Sequence, residues 1–377
     1  MIFAFIIFLF ILSFLIFIHE FGHFILAKKL GVRVEEFGIG YPPAIWKKKI
    51  GETFYSINLV PVGGFVKLYG EEDRRLIKEK SSFISKRPLE RAVIISGGVA
   101  MNFLVAVLIF YFLLATSGFF AHVPLLFGYK FPFGEQRNLP MIIGIAKDSP
   151  AQEVGLRSND LIIKGNGIEF EGSQSFINFI DNNRGKEVIL LVKNISDNQL
   201  REVKVVPRLN PPPNEGALGV AIADIIQISY QKPWEKLIAG FIHSLNLSHY
   251  SLIGLAHYIK LSFFKKEIEP LASSVVGPVG ILALTKITLQ EGIYQLVLLV
   301  GLISLALCIV NILPIPPLDG GRLLFVFSEM VTGRRIKPSI EQRAQQIGIV
   351  FFILLFILIT SKDIFQFKDI LFKGLIR

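Results

Sequence analysis

The chain has 377 residues, 52% of them hydrophobic and 34 of them Phe, and a formal net charge of +10. That apolar surplus excludes an ordinary soluble domain and marks a membrane protein. Many of the Lys and Arg gather between Lys28 and Arg91, directly after an apolar run, the cytoplasmic-side bias of membrane proteins and not a nucleic-acid surface; the single Cys308 excludes an intrachain disulfide and a cysteine-rich metal site.

Residues 1–30 form a first spanning helix, with an apolar run from Ile2 to Ile18. It lacks a basic leader and a small-residue cleavage site, so it is expected to stay in the mature protein. Its start is expected on the outer side of the membrane, and Lys28 and Lys29 on the cytoplasmic side. Ile18-His19-Glu20-Phe21-Gly22-His23-Phe24 follows the apolar run. On a helix, His19 and His23 are one turn apart on one face and can share a tetrahedral zinc ion. Glu20 sits beside them, near enough to take a proton from a water that the metal activates. A lone His on an apolar helix is usually a satisfied core residue. Two His and a Glu at membrane depth are costly, and such groups are usually functional.

Residues 31–91 are punctuated by Gly and Pro up to Gly70. Alternating segments Val32–Phe37, Thr53–Leu59 and Phe65–Tyr69 predict short β-hairpins that dip into the bilayer. Such backbone is tolerated at depth where protein or a cavity satisfies it. Residues 71–91 are charged and predict a cytoplasmic surface. A second span covers 92–116, with Ser96, Gly97, Gly98, Ala100 and Asn102 in its inner half. Small residues let helices approach closely, and Asn102 reads as a side chain holding a neighbouring helix, in preference to one touching the site.

From 139 to 209 the composition turns soluble. Asp148-Ser149-Pro150-Ala151, Gly155-Leu156, Asn159-Asp160-Leu161-Ile162 and Gly185-Lys186 resemble a bacterial PDZ domain. The resemblance implies a module that adds an extended peptide to a sheet edge; a spacer without a ligand is the alternative. By the parity of spans it lies outside the cytoplasm. Residues 210–293 read as a linker with amphipathic helices. His243, His249 and His257 there lack one-turn spacing and read as packing or interfacial residues.

A third transmembrane helix is expected over 294–330, its apolar part ending in Asn311-Ile-Leu-Pro314-Ile-Pro316-Pro317-Leu-Asp319-Gly320-Gly321. The prolines break the helix at the membrane edge. Asp319 is either a third zinc ligand or a turn Asp before Gly; spacing alone leaves both open. Residues 331–377 hold a basic cytoplasmic loop, a fourth span strictly apolar over Ile347–Thr360, and a tail that ends outside.

Taken together, these motifs resemble the site-2 protease family of intramembrane zinc metalloproteases over essentially the whole chain. His19-Glu20-Phe21-Gly22-His23 matches its catalytic motif and Asn311 to Gly320 its second signature. Pro61-Val-Gly-Gly-Phe-Val-Lys67 and Gly277-Pro-Val-Gly-Ile281 match lesser segments. The best-known members carry two PDZ modules, and this chain has room for one. The resemblance implies an α-helical polytopic membrane protein with four transmembrane helices, a membrane-associated β-hairpin region and one inserted PDZ domain. It implies Zn²⁺ on His19, His23 and Asp319, with Glu20 as general base. Asn311, Pro314, Pro316, Gly63, Gly64 and Val66 would bind substrate. The expected partners are single-span membrane proteins and the lipid bilayer, with no nucleic acid. The expected setting is the bacterial cytoplasmic membrane, the active site facing the cytoplasm. Cleavage of anti-sigma factors or remnant signal peptides is the implied role. A catalytically inactive PDZ scaffold is the alternative, opposed by the complete set of His19, Glu20, His23 and Asp319. A transporter using the same ligands would need paired repeats, which the chain lacks.

Overall fold

The computed structural model describes residues 1–71, 77–195, 199–265 and 274–372. Parts of the expected surface segment 71–91, of 210–293 and of the tail lie outside them. The chain divides into two compact units, residues 1–110 with 255–377, and residues 111–254.

In the first unit, α1 (Ile2–Lys29) and α2 (Pro88–Thr116) cross at glycine. A Cβ on Gly22 would lie 2.1 Å from the Gly97 carbonyl oxygen, and one on Gly97 would lie 2.6 Å from that of Gly22. Backbone therefore meets backbone, which any side chain would prevent. A core of Ala27, Val34, Leu68, Ile94, Ile95 and Val326 packs beside this crossing.

Between these helices run β1 (Val34–Ile50) and β2 (Thr53–Leu68), paired antiparallel and broken by bulges. The separate short hairpins expected here merge into one folded ribbon. Gly64–Leu68 pairs with one side of Val34–Ile39, and Phe54–Ile57 borders the other side. Gly40 and Gly63, both at positive φ, let the long strands bend back without ending the pairing. Among the described residues no strand pairs with the outer edge of Gly64–Leu68.

The remaining helices of this unit are α7 (Pro278–Glu291), α8 (Ile293–Ile312), α9 (Asp319–Thr332) and α10 (Pro338–Phe372); α3 to α6 belong wholly or partly to the second unit. The region expected over 294–330 holds two helices: the span is α8, which ends where the prolines begin, as expected, and Asp319 starts α9. The last helix outruns the strictly apolar stretch Ile347–Thr360 at both ends, and one polar residue beyond it, Asp363, is buried. Buried Asp363 accepts from the backbone N–H groups of Gly277 (2.9 Å) and Gly280 (2.8 Å), capping α7, and pairs with Lys362 at 2.9 Å. Among the described residues four helices, α1, α2, α8 and most of α10, are long and apolar enough to cross a membrane.

The second unit is built on a seven-stranded antiparallel sheet. Its strands are β3 (Phe120–Pro124), β4 (Glu135–Ile145), β5 (Asp160–Gly165), β6 (Ile168–Glu169), β7 (Val188–Asn194), β8 (Leu200–Val205) and β9 (Val220–Ser229). The order is β3-β9-β4-β5-β7-β8, with β6 on β5. Helices α3 (Pro150–Glu153) and α4 (Ser173–Asn182) accompany it, and Ile142, Ile162, Phe170, Phe176, Leu190 and Val192 fill its core. The boundaries 139–209 are therefore too narrow. Residues 220–229, expected in a linker, form β9 and pair with both β3 and β4. The Pro211–Pro213 run turns the chain back to the sheet. After β9 come α5 (Pro233–Leu237) and α6 (Ala239–Lys265).

Candidate active site

Helical geometry puts His19 and His23 on one face of α1, both buried. Their Nε2 atoms lie 3.2 Å apart. Asp319, the first residue of α9, places Oδ2 at 3.0 Å from Nε2 of His19 and 3.2 Å from that of His23. Two close packings deliver it there. A Cβ on Gly320 would lie 2.1 Å from the Leu313 carbonyl oxygen, and one on Gly348 would lie 2.0 Å from that of Pro316. The turn between α8 and α9 is thus pressed between neighbours that only glycine admits.

The outer ring nitrogens fix the rings. His23 Nδ1 donates to the carbonyl of Ile94 at 2.9 Å, which leaves the Nε2 lone pair facing Asp319. His19 Nδ1 lies 3.4 Å from Nδ2 of Asn102. The Oδ1 of Asn102 is buried with no hydrogen-bond partner. Turning that amide over lets His19 Nδ1–H donate to Oδ1 and satisfies both groups. Asn102 was read as a helix-holding residue; its backbone does that, its carbonyl accepting from Ser304 Oγ at 2.8 Å, while its side chain supports His19.

With both Nδ1 atoms engaged, two imidazole lone pairs and a carboxylate oxygen converge, and Asp319 Oδ2 is buried without a donor. Three acceptors at this separation repel unless a cation sits among them. Bonds of about 2.0–2.1 Å to a tetrahedral zinc put donor atoms roughly 3.3 Å apart, so the residues fit such an ion. Among the described residues this is the one group of three or more such side chains able to hold a metal.

Gly98 completes the site and escaped the sequence reading of its role. A Cβ there would lie 2.5 Å from His23 Nε2 and 2.6 Å from His19 Nε2. Its only sequence signal is the Gly-Gly pair within an apolar helix.

Glu20 is half-buried beside the ligands. Its carboxylate is within hydrogen-bonding reach of the Val66 backbone, and a Cβ on Gly64 would lie 3.6 Å from its Cγ. The outer edge of Gly64–Leu68 therefore faces Glu20 and the cluster of His19, His23 and Asp319. Gly64 and Val66 line the same cavity as His19, Glu20 and Asp319. Gly63 packs against Tyr41. Asn311 lies in the last turn of α8, and Pro314 and Pro316 lie in the turn that follows; Pro317 is the residue of that turn that lines the cavity.

Four helices apolar enough to cross a membrane, and a cluster of His19, His23 and Asp319 able to hold a metal ion beside a glutamate, fit a polytopic membrane protein with a metal centre. Residues 7–355 match peptidase family M50. The chain belongs to that family, the site-2 protease family its motifs resemble. A Clostridium perfringens protein named as a candidate zinc metalloprotease is 31% identical over 352 residues, 93% of this chain and 96% of the relative. The Bacillus subtilis regulator of sigma-W protease RasP is 27% identical, covering 95% of this chain and 97% of its own length. The zinc metalloprotease RasP of Oceanobacillus iheyensis is 27% identical over 94% of this chain and 97% of that protein.

Proposed function

We propose that the chain is an intramembrane zinc metalloprotease that hydrolyses peptide bonds within the spanning segments of single-span membrane proteins. The observation that carries this reading is the convergence of His19, His23 and Asp319 beside Glu20 in helices fit to cross a membrane. His19, His23 and Asp319 hold the zinc. When bound, zinc polarises the scissile carbonyl and acidifies water. Glu20 takes the proton of the attacking water on its carboxylate and delivers it to the leaving amine nitrogen.

A substrate helix must unwind before Glu20 can serve its scissile bond. Opening it in hydrocarbon costs several kcal/mol per unsatisfied backbone group, roughly. The outer edge of Gly64–Leu68, with Gly64 and Val66 facing Glu20, offers replacement partners by strand addition. Gly63 shapes the bend before this edge, and the family resemblance assigns Asn311, Pro314 and Pro316 to the extended chain, beside the cavity-lining Pro317. The cavity shared with Arg91 and Glu329 supplies water from the cytoplasmic face. The sheet unit acts as one PDZ-like module outside the cytoplasm, governing which substrates approach; its motif residues and antiparallel sheet support this. The bacterial relatives support the cytoplasmic membrane as location. The name of the Bacillus subtilis protein, regulator of sigma-W protease, is in keeping with a sigma-factor regulator, an anti-sigma factor, as one substrate class; remnant signal peptides are proposed as a second.

Wild type and Glu20→Gln, purified and reconstituted with a spanning substrate, test the reading. Both should carry one zinc per chain, and cleavage should fall roughly 10²–10⁴-fold in the variant. Wild type with no zinc and no cleavage would point to the inactive scaffold.

A further inference from the structure

The cavity that holds the catalytic cluster, about 500 Å³ in volume, continues past it to a charged end that the chemistry does not use. There Arg322, one helical turn beyond Asp319 on α9, donates to Glu71, three residues beyond Leu68. The pair ties the end of the substrate-facing edge to the helix that supplies the third ligand. Its side chains are 29% and 24% exposed, so both are reachable from the cavity. The Arg322 guanidinium also rests 6.0 Å from the Phe83 ring centroid.

The neighbouring charges differ in how fully they are matched. Glu329 is held by Arg91 at 2.6 Å and by Arg335 at 2.9 Å. Glu341 lines the same cavity and acts electrostatically on Arg322, yet has no ion pair among the described residues. Arg322 therefore feels three carboxylates, Glu71, Asp319 at the metal cluster and Glu341, and pairs with Glu71. A second cation at this point would complete the set. Spanning segments carry Lys and Arg at their cytoplasmic ends. A chain laid along Gly64–Leu68 rises about 3.3 Å per residue and meets Glu71 on the order of five residues from the cut bond.

We propose that Glu71 and Arg322 form a latch that selects substrates with a basic residue on the cytoplasmic flank: the substrate's cation takes Glu71, and Arg322 turns to Glu341. This rests on the protease reading, which supplies the direction in which the substrate lies. An acidic flank would face the carboxylates of Glu71 and Glu341, so it binds less well.

Three single-span peptides differing only in Lys, Gln or Glu after the apolar segment test this. Their affinity is measured on full-length, zinc-loaded Glu20→Gln protein, where nothing is cut. The Lys peptide should bind tighter than the Glu peptide by about fivefold or more, as for partly screened ion pairs. Adding Glu71→Gln should bring the ratio towards one, and adding Glu71→Lys should invert it. A ratio taken within one preparation cancels any loss of folded protein, and Glu341→Gln, which should also shrink it, serves if Glu71→Lys does not fold. Equal ratios in all backgrounds overturn the latch. Wild-type cleavage of the Gln peptide is run in parallel: cleavage with flat ratios removes the latch alone, whereas no cleavage of any peptide removes the protease reading and the latch with it.

Discussion

Each unit of the molecule buries histidine, and the two environments are opposites. In the first unit His19 and His23 face a carboxylate oxygen with three lone pairs and no donor among them. In the second unit His243 Nδ1 meets the Tyr230 hydroxyl at 3.0 Å, and Asn246 Nδ2 donates to that hydroxyl at 2.9 Å. His122 there lies 3.2 Å from the Gln227 amide nitrogen. Donors and acceptors match in the second unit, so the rings are packing residues. They do not match in the first, and a cation resolves the mismatch. Burial of an imidazole is thus no sign of metal; converging acceptors are.

The sharpest test sets one histidine against the other. His23→Ala should lose zinc and all measurable cleavage. His243→Ala should keep one zinc per chain and lose stability instead, because it leaves the Tyr230 hydroxyl short of a buried partner. Metal analysis and thermal unfolding of both variants decide it. Retention of full zinc in His23→Ala would erase the distinction between the two regions.

A second test uses glycine. Gly98→Ala places a methyl against both ligand rings, and α2 cannot retreat while Gly22 and Gly97 are in contact. Zinc affinity should fall roughly 10–100-fold, the range seen when a ligand's support is disturbed. Gly254→Ala in the second unit puts its Cβ 3.0 Å from a Phe127 ring carbon, and zinc affinity should be unchanged. A competition titration with a chelator measures both.

How legible these features were follows from the range of the interactions. The one-turn pair His19 and His23, with Glu20, is written locally, so helical periodicity alone exposes it. Asp319 was ambiguous from spacing, and the family resemblance named it. What α2 does is a long-range matter: Asn102 reads the same whether its amide meets a helix or His19, and Gly98 carries no side chain to announce a role. The ribbon was misjudged because Gly40 and Gly63 are also the signals of strand ends; here they bend strands that continue. Strand β9 was hidden because Pro211–Pro213 resembles a linker, and its partners β3 and β4 lie about a hundred residues earlier. The pair of Glu71 and Arg322 joins residues more remote still, 251 apart in sequence.

Asn102 offers a milder probe of the first unit. Asn102→Leu keeps the volume and the backbone bond to Ser304 but leaves His19 Nδ1–H without an acceptor. Zinc affinity should drop about tenfold, at the low end for such supporting groups. Asn102→Asp should rescue it, since a carboxylate accepts from the same N–H. Equal affinity in wild type and Asn102→Leu would reduce Asn102 to its packing role.

The smallest effect expected is a pH dependence confined to the second unit. Burial pushes the His243 imidazole down to about 4, and burial with the charge of Lys193 does the same to His122. In the unfolded chain a histidine titrates near 6.5. Both folded values are depressed, so below pH 6.5 the unfolded chain takes up protons that the folded unit refuses. Their contribution is complete above about pH 6.5 and is lost progressively as pH falls towards 4. At pH 5.5 each histidine should cost the unit about 1 kcal/mol. Amide-exchange protection of β9, corrected for intrinsic exchange and compared at pH 7 and 5.5 in the full-length protein, reads this directly. His243→Gln keeps hydrogen-bonding capacity without titrating, so it should remove about half of the loss. Zinc content measured on the same samples separates this from any change at the metal cluster. Identical pH dependence in wild type and His243→Gln would mean that His243 does not titrate against folding.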